Sequence, residues 1–152
     1  MPVTVLGIGN PIMGDDGVGL AVLAELRQLR PDPRVEYSDG GTGGLELLPQ
    51  VQDAGKLLLL DAVSGDIPGQ VLRFSGDHLP RLLSSKLSPH EVGLLDVLSA
   101  ARLTGKEPEA VEIVGVVPQV VEMRVGLSTA VAAAVAQAAA LAAEILDSWL
   151  AP

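Results

Sequence analysis

The chain opens with a short apolar run, Val3 to Ile8, ended by Gly7-Ile8-Gly9-Asn10-Pro11. That pattern predicts a buried strand followed by a loop. Val18, Val22, Leu26 and Leu29 then recur at helical spacing behind Asp15 and Asp16, and Pro31 stops the helix. Val35 to Ser38 reads as a second strand, followed by Asp39-Gly40-Gly41-Thr42-Gly43-Gly44 and a short helical piece from Leu45 to Val51. Leu57 to Leu60 is continuously apolar and ends at Asp61, as expected of a parallel strand covered by helices on both faces. Gly69 to Phe74 predicts an edge strand, and Val111 to Val117 the last strand. Between them, Ser88-Pro89-His90-Glu91 starts a helix that Gly105 stops. The chain finishes on a long Ala-rich helix, Leu127 to Trp149, apolar at Leu127, Val131, Val135, Ala138, Leu141, Ile145 and Trp149.

Strands alternating with helices imply an α/β fold, a three-layer sandwich. With 152 residues and no repeat or linker, residues 1–152 form one domain. Apolar residues make up 48% of the chain but only three residues are aromatic, so Leu, Val, Ile and Ala must build the core.

Charge and cysteine usage narrow the function classes. The net charge of −9, with ten scattered basic residues, argues against nucleic acid and against anionic lipid. The chain has no cysteine, which excludes disulfides, thiolate metal sites and a cysteine nucleophile. Met1-Pro2-Val3-Thr4-Val5 lacks a basic n-region, so no signal peptide is expected, and Gln137, Glu144 and Asp147 interrupt the apolar C-terminal segment. A cytoplasmic monomer is the expectation.

In open α/β sheets, ligands bind at the carboxyl ends of the strands. Three polar groups fall there: Asp16 after the first strand, Asp61 at the end of the central strand, and His90 in the first turn of a helix. A carboxylate beside four leucines is costly unless paired or bound to a cation, although a turn aspartate bonded to backbone amides fits that position equally well. Asp15 and Asp16 together suit an N-cap and a partner of the helix dipole, with one of them left to face the strand edge. Ser88, Pro89 and Glu91 form a capping box that accounts for every residue of its motif except His90. The positive end of a helix disfavours the imidazolium, and neutral imidazole is the metal-binding form. Two oxygens and one nitrogen suit a borderline divalent ion, Ni²⁺ or Zn²⁺, with positions left open for water or a partner's groups. Gly7-Ile8-Gly9 does not complete a dinucleotide fingerprint, because position 12 is Ile. The glycines around Thr42 serve either a tight turn or the close approach of a peptide.

These motifs, taken in order, resemble the hydrogenase maturation endopeptidases over nearly the whole length. The resemblance rests on Gly7-Ile8-Gly9-Asn10 with Gly14-Asp15-Asp16-Gly17-Val18-Gly19, on Asp39-Gly40-Gly41-Thr42-Gly43, and on Asp61-Ala62. It extends through Ser88-Pro89-His90-Glu91-Val92-Gly93-Leu94, Gly115-Val116-Val117-Pro118 and Gly126-Leu127-Ser128. It implies a central, five-stranded, mostly parallel twisted sheet with helices on both faces. It implies Asp16, Asp61 and His90 as catalytic and metal-contacting residues, with Gly41, Thr42 and Gly43 expected to bind substrate. It also implies the reaction: removal of the C-terminal extension of a [NiFe] hydrogenase large-subunit precursor after nickel insertion. The nickel is then supplied by the substrate, and zinc or cadmium can take its place in vitro. Two rivals stand beside this reading. One is a non-catalytic metal-sensing module with the same three ligands. The other is a peptidyl-tRNA hydrolase-like enzyme, which shares a Gly-Asn-Pro turn but should carry a basic surface.

Overall fold

Strand β1 (Val3–Gly7) pairs in parallel with β2 (Val35–Asp39) on one side and β3 (Lys56–Ala62) on the other. β5 (Ala110–Val116) continues the sheet parallel to β3, and β4 (Val71–Ser75) closes the edge antiparallel to β5. The order is β2-β1-β3-β5-β4, so four parallel strands direct their carboxyl ends to one rim. The computed structural model describes residues 2–75 and 89–152, and the side chains of these except 89–95. Within that range the expected architecture is present: five strands, mostly parallel, between two layers of helix.

The alternation of β3 explains its leucines. Leu58 and Leu60 join the core under α1 (Val18–Leu29) and the final helix α4 (Thr129–Leu150). Leu57 and Leu59 join a second core under α2 (Leu48–Asp53) and α3 (Pro89–Leu103). With helices on both faces, no position of the strand tolerates a polar side chain until its end. The same parity places Asp61 on the α2 and α3 side.

The small side chains of α4 let it lie close to α1, with Ala134, Ala138, Ala139 and Ala142 buried between Val131 and Ile145. This helix is long and apolar enough to cross a membrane by length and composition; here its buried stripe forms the core of one layer. A salt bridge from Arg30 to Asp147 at 2.6 Å ties the end of α1 to α4, and Arg30 also holds Asp32 at 3.2 Å.

Two local expectations differ in detail. The segment after the glycine loop begins as a 3₁₀ turn, Leu45–Leu47, before α2 starts at Leu48, with Pro49 in its first turn where a missing N–H costs nothing. Neither Asp15 nor Asp16 caps α1: they lie inside a 3₁₀ turn, Gly14–Gly17, and Gly17 precedes the helix with no side-chain cap. The proposed capping residue Ser88 lies outside the described residues, though α3 does begin at Pro89.

Leu59 is fully buried in the α2/α3 core. Leu59→Ala is expected to lower stability by about 2–5 kcal/mol, the usual cost of such a cavity, read as a shift of the urea midpoint at unchanged slope.

Candidate active site

The acidic turn is pressed against the strand ends by two glycines. A Cβ on Gly9 would overlap the carbonyl oxygen of Asp16, and a Cβ on Gly19 would overlap those of Ile8 and Leu60. Any larger residue at either place would push the turn away from β1 and β3. The Ile8 N–H donates to the Leu60 carbonyl at 2.8 Å, so the first residue beyond β1 stays joined to β3 immediately before Asp61.

The two adjacent aspartates are used in opposite ways. Asp15 is fully buried. Its Oδ2 accepts from the Gln119 N–H at 2.9 Å, the Val120 N–H at 2.8 Å and the Ser128 hydroxyl at 2.7 Å, and its Oδ1 accepts from the Ser128 N–H at 2.7 Å. Those four bonds, three on Oδ2 and one on Oδ1, commit the fully buried Asp15 to a structural role. Burial alone would raise its pKa. The hydrogen bonds from Val120, Ser128 and Gln119 outweigh burial and hold it below the ordinary 3.8. Asp16 is 9% exposed, and its Oδ2 accepts from the Asn10 N–H at 3.1 Å, across the loop that leaves β1.

Asp61 is 2% exposed and pairs in register with Gly115 of β5. Its Oδ1 accepts from the Ala62 N–H at 2.8 Å. Asp61 and the acidic turn thus occupy the carboxyl ends of neighbouring strands, as expected, and the turn packs on β3.

His90 lies in the first turn of α3, and its side chain is outside the described residues. The other end of α3 is fixed at the opposite rim, where Thr104 accepts from Gln52 at 3.0 Å and the Glu109 N–H reaches Gly55 at 2.7 Å. A helix of 15 residues is about 22 Å long, which carries the first turn toward the carboxyl rim. Among the described residues, no three His, Asp or Glu side chains group as a metal cage.

The glycine loop is stitched to the same rim. The Gly41 carbonyl accepts from the Gly9 N–H at 2.8 Å, and the Gly41 N–H donates to Asp39 Oδ1 at 2.7 Å. Gly41 and Gly43 have φ of +58° and +80°, which answers why glycine stands there; Thr42 between them is exposed.

Comparison with known proteins decides the family. The model of the hydrogenase maturation protease family matches residues 20–145. The hydrogenase 2 maturation protease of Escherichia coli (strain K12) is 39% identical over 137 residues, covering 88% of this chain and 83% of that protein.

The chain belongs to the hydrogenase maturation protease family.

The solved E. coli endopeptidase HybD superposes with a TM-score of 0.90 at 36% identity, covering 99% of this chain and 94% of that one. The [NiFe] hydrogenase maturation protease HybD of Thermococcus kodakarensis gives a TM-score of 0.79 at 26% identity, covering 95% and 99%. The family member is therefore a peptide hydrolase acting in hydrogenase maturation. That sets aside the non-catalytic module and the peptidyl-tRNA hydrolase.

Sequence reasoning missed the anchor that Asp15 makes. Its partners stand more than a hundred residues away, and no local spacing signals them. Because the folded carboxylate has the depressed pKa, its stabilisation is complete above the unfolded value near 3.8 and is lost as pH falls through the lower folded value. Asp15→Asn is expected to cost roughly 2 kcal/mol or more at pH 7, since the amide turns donors toward donors. Urea unfolding of the variant should also show a shallower loss of stability below about pH 4 than the parent does.

Proposed function

We propose that this protease removes the C-terminal extension of a [NiFe] hydrogenase large-subunit precursor once nickel has been inserted. The nickel is part of the substrate: Asp16, Asp61 and His90 touch the ion seated in the precursor. The observation that carries this reading is the placement of two buried carboxylates, Asp16 and Asp61, at the carboxyl ends of adjacent strands. A carboxylate as deep as Asp61 must be hydrogen-bonded, paired or bound to a cation. Asp15 is committed to the Gln119, Val120 and Ser128 contacts, and Asp16 is the acid of this turn that we assign to the metal.

His90 completes the set. It belongs to the first turn of α3, and imidazole in its neutral form is a metal ligand. Two oxygens and one imidazole suit Ni²⁺, and equally Zn²⁺ or Cd²⁺ in vitro. The chain has no cysteine, and its sequence offers no Ser-His-Asp set with supporting context, so we assign hydrolysis to an activated water. Metal contact supplies recognition of a loaded precursor and polarises the scissile carbonyl or the attacking water. In a second version of the same chemistry, Asp16 or Asp61 acts as general base and the metal serves recognition alone. The glycine loop at Gly41, Thr42 and Gly43, exposed at Gly41 and Thr42, is our candidate at the same rim for approach of the peptide to be cut. We take the protein to act as a cytoplasmic monomer, without nucleic acid or membrane.

The test is mass analysis of the partner's C-terminus after incubation of nickel-loaded precursor with the parent protein or a variant. The parent should shorten the precursor. His90→Ala and Asp61→Asn should each slow cleavage about 100-fold or more, the scale of losing a group that acts in the transition state. Cleavage by His90→Ala at the parent rate would remove His90 from the mechanism.

A further inference from the structure

Among the described residues, eight large apolar side chains stand exposed, and six of them lie in loops at the carboxyl rim: Ile12, Leu45, Ile67, Val121, Met123 and Val125. The other two, Leu29 and Leu103, end α1 and α3 at the opposite rim. The six follow β1, β2, β3 and β5, so they surround the ends of β1 and β3, where Asp16 and Asp61 sit.

Half of this ring is held in place by the buried aspartate. Residues 117–128 join β5 to α4 and carry Val121, Met123 and Val125. Asp15 grips this segment through Gln119, Val120 and Ser128. Arg124 pairs with the loop after β1: its N–H donates to Ile12 at 3.0 Å and its carbonyl accepts from Gly14 at 2.9 Å. Fixed at both ends and in the middle, the segment presents Met123 at 82% and Val125 at 84% exposure. Such preorganisation lowers the ordering cost of binding.

We propose that this ring is the docking surface for the folded body of the subunit whose tail is cut. The inference rests on the function proposed above. The ring spans the ends of β2, β1, β3 and β5, about 14 Å at ordinary strand spacing, wider than a single extended peptide. It exposes apolar area on the order of several hundred Å², a size typical of functional patches.

The experiment is steady-state cleavage of purified nickel-loaded precursor by a double variant, Met123→Asp with Val125→Asp, beside a control on the far rim, Leu103→Asp. All three side chains are more than 80% exposed, so neither protein should lose its unfolding midpoint. The double variant should raise KM about 10-fold or more with kcat within about twofold, and the control should match the parent. Failure of the parent to cleave overturns the proposed function and with it this inference. If the parent cleaves and the double variant keeps its KM, the docking surface alone is overturned. An equal loss in Leu103→Asp overturns it too, as a general charge effect. A parallel loss on an isolated peptide spanning the cut would assign the patch to the tail rather than the folded body. Self-association of the parent in sedimentation, abolished in the double variant, would assign it to a second copy; either result overturns the proposal.

Discussion

The carboxyl rim depends on how closely the turn at Gly14–Gly17 lies against the ends of β1 and β3. That approach is possible because Gly9 and Gly19 have no side chain, so carbonyl oxygens of Asp16, Ile8 and Leu60 occupy the space where a Cβ would stand. The backbone, not the carboxylates, therefore sets the geometry. With the turn seated, Asp16 is drawn in at the end of β1 and bonded to Asn10, while Asp61 arrives at the neighbouring strand end from within the sheet. Rigid strands and a close-packed turn fix both groups before any partner arrives, which is what a site needs if recognition is to be geometric.

Much of this was legible in the sequence because it follows from short-range rules. Four leucines in a row suit a strand covered on both faces, and the alternation of Leu57 to Leu60 between two cores bears this out. The edge strand, the long Ala-rich helix and the start of a helix at Pro89 were likewise carried by local pattern, while the antiparallel direction of the edge strand was not. Capping was where local rules failed. Adjacent acids before a helix ordinarily cap it, but here long-range bonds took Asp15, and the 3₁₀ turn that lets it reach Ser128 withdrew Asp16 as well. A hydrogen bond across more than a hundred residues leaves no trace in spacing. Only the motif Gly126-Leu127-Ser128, one part of the family resemblance, hinted that this distant segment mattered.

The division between Asp15 and Asp16 shows how two identical side chains acquire different chemistry. A carboxylate that accepts four short bonds is a structural joint: its charge is spent on amides and a hydroxyl, which hold its pKa below the ordinary value against the effect of burial. Its neighbour is turned by one residue within a tight turn and faces a different environment. The joint also has a second consequence. By tying residues 119–128 to the turn beside β1, Asp15 fixes one side of the rim to the other, across the end of β3.

Parallel topology explains why polar and apolar groups gather on this rim. Four strands deliver their outgoing loops to the same side, so each loop can contribute one or two side chains without disturbing either core. A catalytic group needs only one loop, whereas a contact surface needs several. The buried acids come from the backbone nearest the sheet, and the exposed apolar residues come from the outer parts of the loops. A centre of carboxylates inside a border of apolar side chains is the arrangement in which binding a partner removes water from around the charged groups. Electrostatic interactions between those groups and a bound cation then strengthen as the surroundings become less polar. Selecting the partner and activating the site would on this arrangement be a single physical event, driven by the same contact.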